Sequence, residues 1–315
     1  MNKKDIIKVA YYYYKLEFNQ QEIADKMNFS RQKVNRLLKK ALEDNIVEIK
    51  INGYEDFDIH LEHLLEQEYD LYNALVVTNN LDDNAIGMAA SNYLNSLIDD
   101  CIEENGKCDI GISWGNALCN LTKNYQVVDR QSQDISVTQI VGGINTSDIS
   151  IKPEEITNNL ALLLGGKAYN LFAPALVKNK DLIDMLCRER YYETIVSKYK
   201  ELDIAIVGIG QLEKNSTVAR YGYIDREDLL KLRNKEGVGD VSFRVYNSSG
   251  QIVDEDFDKT VMGINTTDLL NIPLRIGIAY GLDKVKAIRG AIKGNFINIL
   301  ITDDLTAEKI LELEK

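Results

Sequence analysis

Apolar residues recur at three- and four-residue spacing along the first forty positions, and this periodicity predicts three successive helices. In residues 3–17 the buried face is predicted to be Ile6, Val9, Ala10 and Tyr13. A second helix follows Asn19, with Glu22 placed to complete a capping box and Ile23, Ala24 and Met27 on its apolar side. After Asn28-Phe29-Ser30, Ser30 is placed to cap a third helix whose stripe is Val34, Leu37, Leu38, Ala41 and Leu42. The period then changes to two: Ile46-Val47-Glu48-Ile49-Lys50-Ile51 alternates apolar and charged residues and ends at the turn pair Asn52-Gly53. Three helices followed by a β-ribbon make a winged helix-turn-helix over residues 1–54.

Ile59, Leu61, Leu64 and Leu65 predict a further helix, so residues 55–72 are read as a linker that either assembles two copies or packs on the large domain after it. From Ala74 onward short apolar strands alternate with helices. Strands are expected near 74–78, 108–113, 135–141, 168–173, 203–209, 241–246, 274–279 and 296–301. Helices are expected at about 83–104, 115–123, 154–167, 179–200, 225–234, 282–292 and 304–314. The alternation predicts an α/β fold, with residues 73–315 forming a doubly wound, Rossmann-like parallel sheet that binds ligands beyond the carboxyl ends of its strands.

Charge divides the chain the same way. The net charge is −12 over 315 residues, which on its own argues against a nucleic-acid partner. Residues 1–50, however, hold 11 Lys and Arg against 7 Asp and Glu, so the basic character is confined to the predicted helix-turn-helix. On its third helix Gln32, Lys33 and Arg36 are placed to reach base edges of a double-stranded DNA operator. Arg31, Asn35, Lys39 and Lys40 flank them, and the three cations among these are suited to phosphates. A two-fold operator needs at least a homodimer.

No apolar run approaches the roughly 20 residues of a membrane span, and the first residues lack the apolar core of a signal peptide, so a cytoplasmic protein is expected. Cys101, Cys108, Cys119 and Cys187 form no C-x-x-C pair and fall in apolar-periodic segments, which predicts reduced, buried thiols. His60 and His63 are the only histidines and belong to no H-E-x-x-H motif. Neither a metal nor a cofactor is expected.

Several glycine-rich turns fall at predicted strand ends: GISWGN at 111–116, VGGI at 141–144, GIGQ at 208–211 and GVGD at 237–240. The first leaves a strand and opens a helix, where backbone N–H groups suit a phosphate. Gly111-Ile112-Ser113-Trp114-Gly115 also matches the G-x-S-x-G elbow of hydrolases, but no histidine follows His63 to serve as base. Ser113 is therefore read as a hydrogen-bonding group, and Trp114 as a core anchor before a sugar platform.

The chain resembles the SorC family of sugar-binding transcriptional regulators over nearly its whole length. The resemblance is carried by YYYYKLEFNQQEIADKMNFSRQKVNRLLKKALEDNIVEIKI at 11–51, GISWGNAL at 111–118, FAPAL at 172–176, DIAIVGIG at 203–210, GVGDVSFRVYNSSG at 237–250 and the block from Pro273 to Ala307. It implies a phosphosugar-isomerase-like domain without catalysis, binding a sugar phosphate or polyol, often within a homotetramer. Carried over as effector contacts are Ser113, Trp114, Gly115, Asn116, Pro174, Asp240 and Lys284. Asn116-Ala117 stands where the family commonly has Arg-Thr or a similar polar pair, which weighs against a doubly phosphorylated ligand. Val141 before Gly142 argues against covalent capture by a lysine. The resemblance implies a carbohydrate-operon repressor, while an active sugar-phosphate isomerase or deaminase fused to a DNA-binding domain is the competing reading.

Overall fold

The computed structural model describes residues 2–50, 56–78, 83–130, 134–143, 152–213 and 224–313, and it divides into two compact units, 1–53 and 54–315.

The first unit is built from α1 (Lys3–Tyr14), α2 (Gln20–Met27) and α3 (Arg31–Glu43). Each start is fixed by the cap that the sequence supplies. Asn19 accepts from the N–H groups of Gln21 and Glu22 while Glu22 reaches back to the Asn19 N–H, and Ser30 Oγ accepts from Lys33 N at 3.2 Å. Asn28 ends α2 in the left-handed region at φ 58°, which turns the chain into α3. Ile6, Val9, Ala10, Ile23, Ala24, Val34, Leu37, Leu38 and Ala41 form the core. Two expected core residues are not in it. Tyr13 and Leu42 are exposed, and Tyr12 packs on the core instead, stacked on Phe18 at 5.7 Å between centroids. The expected first wing strand is also missing, since residues 46–50 form no ladder. Ile46 and Val47 fold back onto the helical core, and the Asn52-Gly53 turn lies outside the described residues.

The second unit begins with α4 (Ile59–Tyr69), which belongs to it rather than forming a separate linker. Leu61 and Leu65 are buried in its core, and Glu62 and Glu66 accept from the N–H groups of Val76 and Ala74 on the neighbouring strand. Seven parallel strands make up the main sheet: β1 (Asn73–Val77), β2 (Lys107–Ile112), β3 (Asp134–Gln139), β4 (Lys167–Tyr169), β5 (Ile204–Gln211), β8 (Leu274–Ile278) and β9 (Ile299–Asp303), in the spatial order β1-β9-β8-β5-β2-β3-β4. Alternate residues serve opposite faces, as a period of two requires. Ile204 and Ile206 pack with α5 (Asp83–Asn105), α6 (Asn116–Lys123) and α7 (Pro153–Leu163). Ala205, Val207 and Ile209 pack with α4, α9 (Arg190–Tyr199), α13 (Val285–Lys293) and α14 (Asp304–Glu312). The sheet is therefore doubly wound.

Two expected elements are each broken in two. The helix expected at 179–200 is α8 (Lys180–Cys187) and α9, separated at Arg188-Glu189. The strand expected at 241–246 is an antiparallel hairpin, β6 (Gly239–Val241) and β7 (Arg244–Tyr246). Its turn residues Ser242 and Phe243 both take positive φ, 52° and 64°, which is the geometry of a two-residue hairpin turn without the usual glycine. Between β7 and β8 lie α11 (Glu255–Asp258) and α12 (Thr266–Leu270), and α10 (Arg226–Asn234) precedes β6. Of the four thiols, Cys101 and Cys108 are buried as expected, whereas Cys119 is half-buried and Cys187 exposed.

Candidate functional site

The order of the strands reverses between β2 and β5. From β2 the chain steps outward to β3 and β4, then returns to the other side of β2 as β5 and steps outward again to β8 and β9. Loops leaving two such strands must part in opposite directions, and a cleft opens beyond their carboxyl ends. A cleft of about 220 Å³ lies there, lined by Ser113–Ala117 after β2, Val141 after β3, Gly208–Gln211 of β5, Asp240, Ser242 and Phe243 of the hairpin, and Asp283 and Lys284 before α13.

The first wall is the β2–α6 loop. Ser113 is buried and its Oγ accepts from Gly208 N at 3.3 Å, which ties the two parting strands together. Trp114 donates its indole N–H to Gly142 O at 3.2 Å and sets its ring 5.7 Å from that of Phe243. The indole thus ties the β2–α6 loop to the segment after β3 and to the β6–β7 hairpin while still lining the cleft. Gly115 is the N-cap of α6 at φ 149°, no side chain caps the helix, and Gly115, Asn116 and Ala117 at its start line the cleft.

The opposite wall is the β6–β7 hairpin, which pairs with the far end of β5. Asp240 is 6% exposed; Oδ2 accepts from Phe243 N at 3.0 Å, and Oδ1 has no hydrogen-bond partner. Burial raises its pKa to about 6, against the opposing effects of the Phe243 N–H and the nearby Lys284 charge. Ser242 Oγ and Gln211 Oε1 are likewise buried and unpartnered, although Gln211 donates its amide to Asp283 Oδ2 at 2.6 Å. Three polar atoms without partners in one cleft is a concentration that buried polar groups avoid unless a solvent molecule or ligand completes them.

Six of the seven effector candidates from the sequence, Ser113, Trp114, Gly115, Asn116, Asp240 and Lys284, are brought together here. Pro174 is not: it is exposed and bridges Gly143 outside the lining. Gln211, Ser242, Phe243 and Asp283 line the cleft without being among the sequence candidates. Each sits beside a residue or glycine turn that is, so adjacency to GIGQ, GVGD and Lys284 was the available signal.

The seven operator candidates all lie on α3, with Gln32, Arg36, Lys39 and Lys40 opposite its buried face and Arg31, Lys33 and Asn35 flanking it. Arg31, Gln32, Asn35, Arg36 and Lys39 are exposed. Lys33 holds its ammonium 3.3 Å from the centre of the Phe29 ring, and Lys40 pairs with Asp44 at 2.9 Å, so these two are partly engaged within the unit.

Residues 56–312 match the family model described as "Putative sugar-binding domain". The deoxyribonucleoside regulator of Bacillus subtilis is 30% identical over 307 residues, covering 97% of this chain and 96% of its own length. The crystal structure of the full-length sorbitol operon regulator SorC from Klebsiella pneumoniae superimposes with a TM-score of 0.73 at 29% identity, covering 98% of each chain. The chain belongs to the SorC family of sugar-binding transcriptional regulators. A further relative of this SorC-type chain is the transcriptional regulator LsrR of Escherichia coli, 27% identical over 98% of this chain and 95% of its own. These relatives match from end to end and are regulators, which favours a regulator over the enzymatic reading of the same fold. Among the described residues of the SorC-family chain no helix is long and apolar enough to cross a membrane.

Proposed function

We propose that the chain binds a double-stranded DNA operator of a carbohydrate-utilisation operon through α3, and that a sugar carrying at most one phosphate, or a related polyol, bound in the β2–β5 cleft controls it. The observation that carries the reading is the set of unpartnered atoms Asp240 Oδ1, Ser242 Oγ and Gln211 Oε1 around one cleft. Two are acceptors only, and a hydroxyl accepts or donates, so O–H groups of a ligand or of bound water are the partners that suit them. The charge balance supports the limit on phosphate. Asp240 and Asp283 face a single cation, Lys284, among the described residues, and Asn116 at the head of α6 adds none.

In this reading two or four copies place paired α3 helices on a two-fold operator. Effector binding then shifts the population between operator-competent and operator-released states by its differential affinity for them. Release of repression is the direction we favour. The fold's enzymatic use is disfavoured because neither histidine lines the cleft and Ser113 Oγ is held by a backbone N–H rather than a base.

The test is a thermal-shift panel of phosphorylated sugars beside their unphosphorylated forms and polyols. A ligand at 100 times its Kd should add about 2.7 kcal/mol of stability. Protection by a monophosphate or polyol, with loss of operator binding and no turnover, supports the proposal. Turnover of the protecting ligand, or silence across the panel, overturns it.

A further inference from the structure

The opposite end of the same two strands carries a second cluster. Cys101 lies in the last turn of α5, Cys108 is the second residue of β2, and Asp203 immediately precedes β5. The spacing of the cysteines is too wide for a C-x-x-C motif, but the turn at Gly106, φ 73°, folds the end of α5 back onto β2. The two thiol sulfurs and a carboxylate oxygen of Asp203 all lie within 4.8 Å of one another, the only such group of three among the described residues.

The environment of the cluster is suited to a cation. Asp203 spends Oδ2 on the Asp109 N–H at 2.8 Å, and its backbone N–H donates to Asp109 O, so the carboxylate is fixed in place. Cys101 Sγ–H donates to the Lys107 carbonyl at 3.4 Å, and the sulfur accepts from the Asn105 amide at 3.9 Å. Cys101 and Asp203 open onto a groove of about 560 Å³ whose rim carries Asp100, Glu103 and Glu104. Among the described residues no Lys or Arg lines that groove.

We propose that Cys101, Cys108 and Asp203 bind a thiophilic divalent cation of the zinc class. Two sulfurs and one oxygen are a borderline-soft donor set that selects such ions over Mg²⁺ or Ca²⁺. Ligand atoms sit about 3.5 Å apart around a tetrahedral ion, so closure by about 1 Å assembles the site. On binding, each thiol gives its proton to solvent and each sulfur forms one bond to the ion. The fourth position is left to water. The site stands on β2 and β5, the strands whose far ends form the effector cleft, but its existence does not depend on what that cleft binds.

Cobalt(II) is the probe, added to the full-length reduced chain in a thiol-free buffer. One equivalent should produce a thiolate-to-cobalt charge-transfer band with the visible bands of tetrahedral cobalt, and one equivalent of Zn²⁺ should abolish both. Asp203→Asn should weaken cobalt binding at least tenfold, Cys101→Ser should at least halve the charge-transfer band at saturating cobalt, and Cys187→Ser should leave it unchanged. Because Cys108 is fully buried, the decisive result is that of the unaltered chain. Absence of a thiolate band at tenfold excess of cobalt overturns the proposal. So does a band of undiminished intensity when Cys101 is replaced.

Discussion

Gly210 and Asp240 are direct partners in the antiparallel register of β5 and β6, and a Cβ built on Gly210 would fall 2.1 Å from Asp240 Oδ1. The missing side chain at 210 is the space that the carboxylate occupies. Gly210→Ala should therefore push Asp240 out of the cleft wall. Overpacking of this kind typically costs about 1–3 kcal/mol. The expected outcome is a lower thermal midpoint together with at least tenfold weaker effector binding by calorimetry. A variant unchanged in both would show that the hairpin yields without consequence.

Asp240 also makes stability depend on pH in a direction opposite to most carboxylates. Its folded pKa of about 6 lies above the ordinary 3.8, so between those values the folded chain holds a proton that the unfolded chain has lost. Stability from this group falls as pH rises through that window, and the penalty is complete above it. A rise from 3.8 to about 6 corresponds to about 3 kcal/mol, an upper bound. Asp240→Asn should thus be stabilised relative to the parent by about 1–3 kcal/mol near neutrality, by less at pH 4.5, while binding the effector more weakly. Denaturant titrations at the two pH values check this; an equal difference at both would mean that Asp240 ionises normally.

Much of this architecture is legible in the residues because period and punctuation agree. The Asn19–Glu22 box, Ser30 and the three-four spacing of Val34, Leu37 and Leu38 place α2 and α3 within a residue or two. The alternation from Ala74 onward gives a parallel sheet, and its glycine turns locate the cleft. The features that are not legible depend on tertiary contact. Ser242 and Phe243 carry no turn signature, so the β6–β7 hairpin reads as one strand. Tyr12 and Tyr13 are equivalent by composition, and only Phe18, folding back from beyond the helix, decides which is covered. Pro174 lies in a stretch of family resemblance that packs beside the cleft rather than in it. Gln211 and Asp283 become site residues only when β5 and the segment before α13 are brought together.

Lys284 is the one cation lining the cleft among the described residues, and its charge lowers the Asp240 pKa against the effect of burial. Lys284→Met should discriminate between ligand classes. A phosphorylated effector loses a charge-assisted contact and should bind at least tenfold more weakly, whereas its unphosphorylated counterpart should change by much less. The same substitution should raise the Asp240 pKa further, which extends upward the pH window over which that carboxylate titrates. Equal losses for both ligand classes would assign Lys284 to the shape of the cleft rather than to anion recognition.

On α3, the helix proposed to bind the operator, the residues differ in how much they are already committed. Lys40 is paired with Asp44 and Lys33 lies over Phe29, while Arg36 is exposed beside the buried Val34, Leu37 and Leu38 and forms no ion pair among those of the described residues. A guanidinium in that position can make two parallel hydrogen bonds to a guanine edge. Arg36→Ala should cost about 1–3 kcal/mol in binding to the specific operator and should flatten the sequence preference at one position of each half-site. Lys40→Ala should cost less, because its charge is already partly neutralised by Asp44, and its loss should be independent of sequence. The pair is separated by fluorescence-anisotropy titrations at one fixed salt concentration, using the operator and a scrambled duplex. Selective loss on the operator for Arg36→Ala, with a small uniform loss for Lys40→Ala, is expected. Uniform losses of similar size would reduce both residues to phosphate contacts and move sequence reading to Gln32 and Asn35.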